Sequence, residues 1–179
     1  MYIWGAIDVE SQLKEQKEKV MLIENDISFL QSNICSLPLH ISLKISSEVP
    51  KKYEDYVRKE ILELFQLTKP FYVEIDKIEL NKSIVWIKMK ENGELKKLHN
   101  DLCFIFTKYK FALHEYDSYF IYHSTLFLDS DEDKIKEAFE RIKSIELPTK
   151  LVANKFIIGS SHNGEVGTYK VDSIVEHPF

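Results

Sequence analysis

Two short stretches of this chain carry an imidazole two residues before a hydroxyl: His40-Ile41-Ser42 and His123-Ser124-Thr125. On a β-strand, residues i and i+2 project from the same face, so each stretch would present one imidazole beside one hydroxyl. Imidazole titrates near neutral pH and can give or take a proton, while Ser and Thr hydroxyls can donate to a non-bridging phosphate oxygen. In-line attack at phosphorus calls for a base on the incoming oxygen and an acid on the leaving oxygen, on opposite sides of the phosphorus. Two histidines facing each other across a cleft would supply both, with Ser42 and Thr125 meeting the charge that develops on the equatorial oxygens. No metal is required for that chemistry. With six histidines and many Ser and Thr residues, chance comes close to supplying two such pairs, so the weight falls on where the chain places them.

The elements that must do the placing can be read from periodicity. Residues 2–8 form a short apolar strand, followed by a polar helix from Glu10 to about Gln31 with Leu13, Val20, Ile23, Ile27 and Leu30 at helical spacing. Leu37-Pro38 breaks it. Leu39, Ile41, Leu43 and Ile45 then alternate with His40, Ser42, Lys44 and Ser46, the pattern of a half-buried strand. A helix runs from near Pro50 through Tyr53, Val57, Ile61, Leu64 and Phe65 until Pro70, and two strands follow, one around Phe71, Val73 and Ile75 and one over Ile84-Val85-Trp86-Ile87. The order then starts over. A helix spans about Gly93 to Ala112, a strand with His123 spans Tyr119 to Leu128, and a helix capped by Ser130 or Asp131 runs to Lys143. Strands over Lys150 to Gly159 and Val166 to Val175, joined at Asn163-Gly164, close the chain.

After the leading strand, the same five elements thus occur twice, over about 10–90 and 92–175. The expected architecture is α+β: a single domain over 1–179 with two lobes related by a pseudo-twofold, antiparallel sheets and flanking helices around a central cleft. The two histidine strands would face each other across that cleft.

Composition narrows the function. A net charge of −5 argues against neutralising a long run of duplex phosphates, and leaves a small phosphate ester or a nucleic-acid end. No window approaches the length of a membrane span and the N-terminus lacks a signal-peptide pattern, so a cytoplasmic protein is expected. Cys35 and Cys103 have no CxxC spacing and no His at metal-ligand spacing; they read as buried free thiols, with no metal and no cofactor. No stable protein partner is inferred. His99, His114, His162 and His177 read as surface or capping residues, and the charged runs Lys14–Lys19 and Asp129–Asp133 as solvated helix faces and complements to a helix N-terminus.

His40-Ile41-Ser42-Leu43 and His123-Ser124-Thr125-Leu126 resemble the motifs of the two-histidine (2H) phosphoesterase superfamily, close to its RNA 2′,3′-cyclic phosphodiesterase and 2′-5′ RNA ligase-like group. The resemblance extends to the Ile3–Ile7, Val85–Ile87 and Tyr169–Val171 strands, nearly the whole chain. It implies a bilobal α+β fold and metal-independent hydrolysis of 2′,3′-cyclic phosphates at an RNA terminus or on a small cyclic nucleotide, generally to 2′-phosphates. It also implies a possible reversible 2′-5′ joining of RNA ends. By that resemblance His40 would protonate the leaving 3′-oxygen and His123 would activate water, roles that exchange for the reverse reaction or another substrate. Ser42 and Thr125 would hold the phosphate.

Several relatives of that kind place an arginine shortly after the second motif, where this chain reads Phe127-Leu128-Asp129. A substrate-binding cation would then come from Lys44, on the polar face of the first motif strand, or Lys155, on a late strand; a solvated surface lysine is the commoner explanation of either. Phe127, two residues past Thr125, would stack on a base or pack in the core, and Tyr169 would join the cleft or face water. Two other functions fit the same residues: a nucleotide or RNA-end binding protein with little turnover, and a phosphoesterase for a non-RNA cyclic phosphate.

Overall fold

The computed structural model describes residues 1–27 and 37–179. Its order is β1 (Tyr2–Asp8), α1 (Lys14–Asp26), β2 (His40–Glu48), α2 (Glu54–Leu67), β3 (Phe71–Asn81), β4 (Ile84–Met89), α3 (Gly93–Lys108), β5 (His123–Leu128), α4 (Glu132–Ile142), β6 (Lys150–Ala153), β7 (Lys155–Ser161) and β8 (Lys170–Glu176). The expected α+β class and the repeated order of helix, histidine strand and helix are both present. The end of the first helix, with Leu30, and the thiol of Cys35 fall outside the described residues.

Among the described residues, eight strands form two antiparallel sheets, ordered β2-β1-β7-β8 and β5-β4-β3-β6. Each sheet has its histidine strand at an edge, and those two edges, β2 and β5, adjoin at the seam between the sheets. The sheets do not follow the stretches 10–90 and 92–175. The hairpin β3–β4 leaves the first stretch to pair with β5 and β6, while β7 and β8 leave the second to join β1 and β2. The expected Lys150–Gly159 strand divides at Asn154, so one apolar run serves both sheets. Periodicity counts strands but carries no information on which neighbour supplies a strand's hydrogen bonds, which is why the sheets depart from the sequence repeats.

The helices are exchanged too. α3 packs on β2 and α2 on β7 and β8, while α1 contacts β5 and α4 covers β3, β4 and β5. The helix preceding each histidine strand therefore backs the other histidine strand. One apolar core runs through both halves, joining Ile3, Ile41, Leu43 and Phe65 to Val85, Ile87, Leu126 and Phe127. β1 is buried on both faces because Ile3 and Ile7 point to this core and Trp4 and Ala6 to a second cluster with Ile157 on the opposite face.

Caps set the boundaries. Asn92 accepts from the Leu95 N–H at the start of α3, and Asp131, not Ser130, accepts from Asp133 and Lys134 at the start of α4. α3 stops at Lys108 instead of Ala112, and Lys110 adopts a left-handed conformation with φ 62°. β5 begins only at His123 because residues 115–119 form a 3₁₀ turn closed by His114 and Asp117. β8 likewise begins at Lys170, since the Ser161 hydroxyl accepts from the Asn163 and Gly164 N–H groups and turns the chain there. Among the described residues, no helix is long and apolar enough to cross a membrane.

Candidate active site

Both motif histidines occupy the first position of their strand, and both are held the same way. The ring nitrogen Nδ1 of His40 lies 2.8 Å from the Pro38 carbonyl oxygen, and that of His123 lies 2.8 Å from the Ile121 carbonyl oxygen. A carbonyl can only accept, so Nδ1 carries the hydrogen in each and Nε2 is left for the cleft. An indole lies against each imidazole: Trp4 beside His40 with ring centroids 4.9 Å apart, Trp86 beside His123 at 4.2 Å. The tryptophans were not singled out from sequence, although both lie on strands that had to neighbour a motif strand.

Register carries the hydroxyls to the same face. Asp8 and Ala6 of β1 oppose His40 and Ser42; Lys88 and Trp86 of β4 oppose His123 and Thr125. Directly opposed residues share a face, so Asp8 stands beside His40 and Lys88 beside His123. A cavity of about 210 Å³ is lined by His40, Ser42, Trp4, Leu37 and Tyr169 and bordered by residues 44–46, including Lys44, whose ammonium nonetheless turns inward. The Tyr169 hydroxyl sits 2.5 Å from Ser46 Oγ and donates to the Gly164 carbonyl at 3.1 Å, and its ring meets Trp4 edge-on. Tyr169 is therefore part of the cleft wall. Gly159 makes room for the indole, since a Cβ there would lie 2.5 Å from Trp4.

Two predicted side chains are elsewhere, for one shared reason. Between Ala6↔Ser42 and Gly5↔Lys44 the strand β2 gains an extra residue, Leu43; between Trp86↔Thr125 and Val85↔Phe127, β5 gains Leu126. Each extra residue is a β-bulge immediately after the hydroxyl, and it reverses the alternation that follows. Lys44 and Phe127 consequently turn into the core. Lys44 is 1% exposed, with its ammonium 3.1 Å from Asp117 Oδ2, 2.8 Å from Ser47 Oγ and 4.5 Å from the Phe106 ring centre. Burial pulls that ammonium below the ordinary lysine range, and Asp117 offsets part of the effect. Phe127 is fully packed in the core. Lys155, by contrast, is on the cleft face, 2.8 Å from Asp8 Oδ2.

The electrostatics are asymmetric. Burial lowers the basicity of both imidazoles below their ordinary value. For His40 the bond to the Pro38 carbonyl and the Asp8 carboxylate offset part of this; for His123 the Ile121 carbonyl offsets part, but charge on His40 lowers it further. The two rings are thus close enough that a proton on one disfavours a proton on the other.

Metal-ligand chemistry occurs at one place among the described residues, where donor atoms of His99, Cys103 and Asp117 lie within 4.8 Å of one another. Both ring nitrogens of His99 already face backbone carbonyls, Asp117 holds Lys44, and burial pushes the Cys103 thiol up to about 11. Those donors are engaged. The reading of His99 as a surface or capping residue is overturned: it is 5% exposed and lies on the core side of α3. His114 does cap the 3₁₀ turn, and His177 bonds the Phe65 carbonyl.

The chain matches the family described as the 2′-5′ RNA ligase superfamily over residues 15–165. Similar solved structures include TT0787 of Thermus thermophilus, at 15% identity and TM-score 0.65, covering 98% of this chain and 97% of that one. A structure described as a phosphoesterase is 17% identical at TM-score 0.57 with the same coverage. E. coli LigT complexed with 3′-AMP is 17% identical at TM-score 0.56, covering 98% and 96%. At such identities these likenesses speak for the fold alone. No curated protein matches the sequence.

Proposed function

The chain belongs to the 2′-5′ RNA ligase superfamily of two-histidine phosphoesterases, and on that premise we propose that it is a metal-independent phosphodiesterase opening 2′,3′-cyclic phosphates at RNA ends or on nucleotides. One observation carries the reading: two imidazoles, each with Nδ1 tied to the carbonyl two residues earlier, leave Nε2 free beside a hydroxyl on adjoining strands.

A pair of interacting imidazoles takes up protons as a unit, and the singly protonated form is the reactive one. Asp8 favours that proton on His40, while His40 disfavours one on His123. His40 is then the acid and His123 the base. Nε2 of His123 takes a proton from water as the water oxygen attacks phosphorus; the bond from phosphorus to the 3′-oxygen breaks, and that oxygen takes the proton from Nε2 of His40. A 2′-phosphate results, and exchange with solvent returns the proton to His40. Ser42 and Thr125 donate to the non-bridging oxygens, with Lys155 beside Asp8 and Lys88 opposite His123 as cations on the two walls. The aromatic wall of Trp4 and Tyr169 beside His40 favours a nucleoside over a bare sugar phosphate, because a base can pack on it. With the 5′-hydroxyl of a second RNA end in place of water, the same step joins the ends: His123 takes the hydroxyl proton, the 5′-oxygen bonds phosphorus, and the 3′-oxygen leaves with the proton from His40, giving a 2′-5′ linkage. LigT of E. coli, similar in fold, has been crystallised with the nucleotide 3′-AMP.

Purified protein incubated in EDTA with a nucleoside 2′,3′-cyclic phosphate is expected to release the 2′-phosphate. Tight binding without turnover would replace this reading with that of a nucleotide-binding protein, a role favoured by the engagement of Lys155 with Asp8 and by the inward turn of Lys44.

A further inference from the structure

His99 is the one histidine among the described residues whose two ring nitrogens both meet backbone carbonyls: Nδ1 lies 2.8 Å from the Leu43 oxygen and Nε2 lies 2.8 Å from the Asp117 oxygen. Neither oxygen can donate, so a neutral ring satisfies one contact and opposes lone pairs at the other; only a ring with hydrogens on both nitrogens satisfies both. The two carbonyls are not arbitrary. Leu43 is the bulged residue directly after Ser42, and Asp117 belongs to the turn that leads into His123. We propose that His99 is held as an imidazolium and acts as a positioning residue, a charged strut that fixes the bulge of the first motif strand against the approach to the second.

The surroundings support a charged ring. Phe120 stacks on it at 4.7 Å and 27°, presenting the negative face of an aromatic ring. Facing it are the Asp117 carboxylate and the Lys44 ammonium, paired to each other, and the Cys103 thiol, 3.6 Å from Nε2. Burial holds both the thiol and the Tyr122 phenol in their neutral forms. Asp117 thus serves two cations, Lys44 through its carboxylate and His99 through its main-chain oxygen. The position also follows from the exchange of helices, because α3 belongs to the second half in sequence yet packs on β2 of the first sheet. His99 stitches the halves at the level of the two hydroxyl motifs.

The test is nitrogen NMR of the wild-type ring, which distinguishes an imidazolium from either neutral tautomer and needs no substrate, so its outcome is separate from that of the phosphodiesterase reading. At about pH 7 both ring nitrogens of His99 should report attached hydrogens. As alkali removes one, the backbone amide nitrogens of Lys44 and Ser118, which sense the Leu43 and Asp117 carbonyls, should shift in step. His99→Gln, whose two N–H donors sit on a single nitrogen at one end of the amide, replaces one of the two contacts and should shift the amide of the other carbonyl while leaving its own near the wild-type position. A single neutral tautomer at about pH 7 overturns the proposal, as does loss of a ring hydrogen that leaves both amides unmoved.

Discussion

His40 and His123 are alike in their anchors and unlike in their neighbours, and the difference governs how they should titrate. The acid must hold its proton and the base must lack one, so kcat/KM falls with rising pH as His40 deprotonates and with falling pH as His123 protonates. Both rings are held below the ordinary value of 6.5 by burial, which puts the maximum of kcat/KM on the acid side of pH 6.5. A bound phosphodiester anion favours the charged form, so the kcat profile should lie at higher pH than that of kcat/KM. Asp8→Asn removes a charge that favours protonated His40, and its alkaline limb should move down; an unmoved limb in the kinetic profile would separate Asp8 from the acid. Ser42→Ala and Thr125→Val should each lower kcat by up to about 10²-fold with little change in unfolding midpoint. All four of these motif residues were legible, because a histidine and a hydroxyl at period two need only a regular strand. Asp8, Trp4 and Trp86 were not, since their relation to the motifs depends on cross-strand register.

Regularity ends one residue past each hydroxyl, and the elements owe much of their character to that point. A bulge inserts a residue without leaving a mark in the hydrophobic pattern, so Lys44 and Phe127 read as cleft residues and are core residues. The inward lysine has a cost that can be measured. Lys44→Met leaves the Asp117 carboxylate buried without its cation and should destabilise the fold by about 3–5 kcal/mol in urea unfolding, whereas adding Asp117→Asn should recover much of that loss. Equal stability of the single and double variants would mean that the pair is not coupled. On the neighbouring strands, Gly159 matters because the Trp4 indole and the Lys170 carbonyl occupy the space a Cβ would take, at 2.5 and 2.6 Å. Gly159→Ala should cost about 1–3 kcal/mol and push Trp4 off His40, seen as a red-shifted tryptophan emission together with loss of activity. Unchanged emission would place the strain elsewhere.

Across the whole molecule, sequence conveyed the kind and order of the elements but not their partners, nor the division of the Lys150–Gly159 run into two strands. Helix, histidine strand and helix recur in order, the second stretch closes with three strands where the first has two, and the sheets exchange β3 and β4 for β7 and β8, because hydrogen bonding between strands is blind to which half a strand comes from. That exchange, with the crossed packing of α1 and α3, makes one core of two repeats and brings the edges β2 and β5 together. The two imidazoles therefore belong to different sheets yet should act on one phosphorus, and groups that act as a unit are not additive when removed. The direct test is kcat in EDTA on a nucleoside 2′,3′-cyclic phosphate for wild type, His40→Ala, His123→Ala and the double variant. Each single change should lower kcat by on the order of 10²- to 10⁴-fold, and the double change should lower it little further. Single variants that retain wild-type turnover, or losses that multiply in the double variant, would contradict a shared acid–base pair.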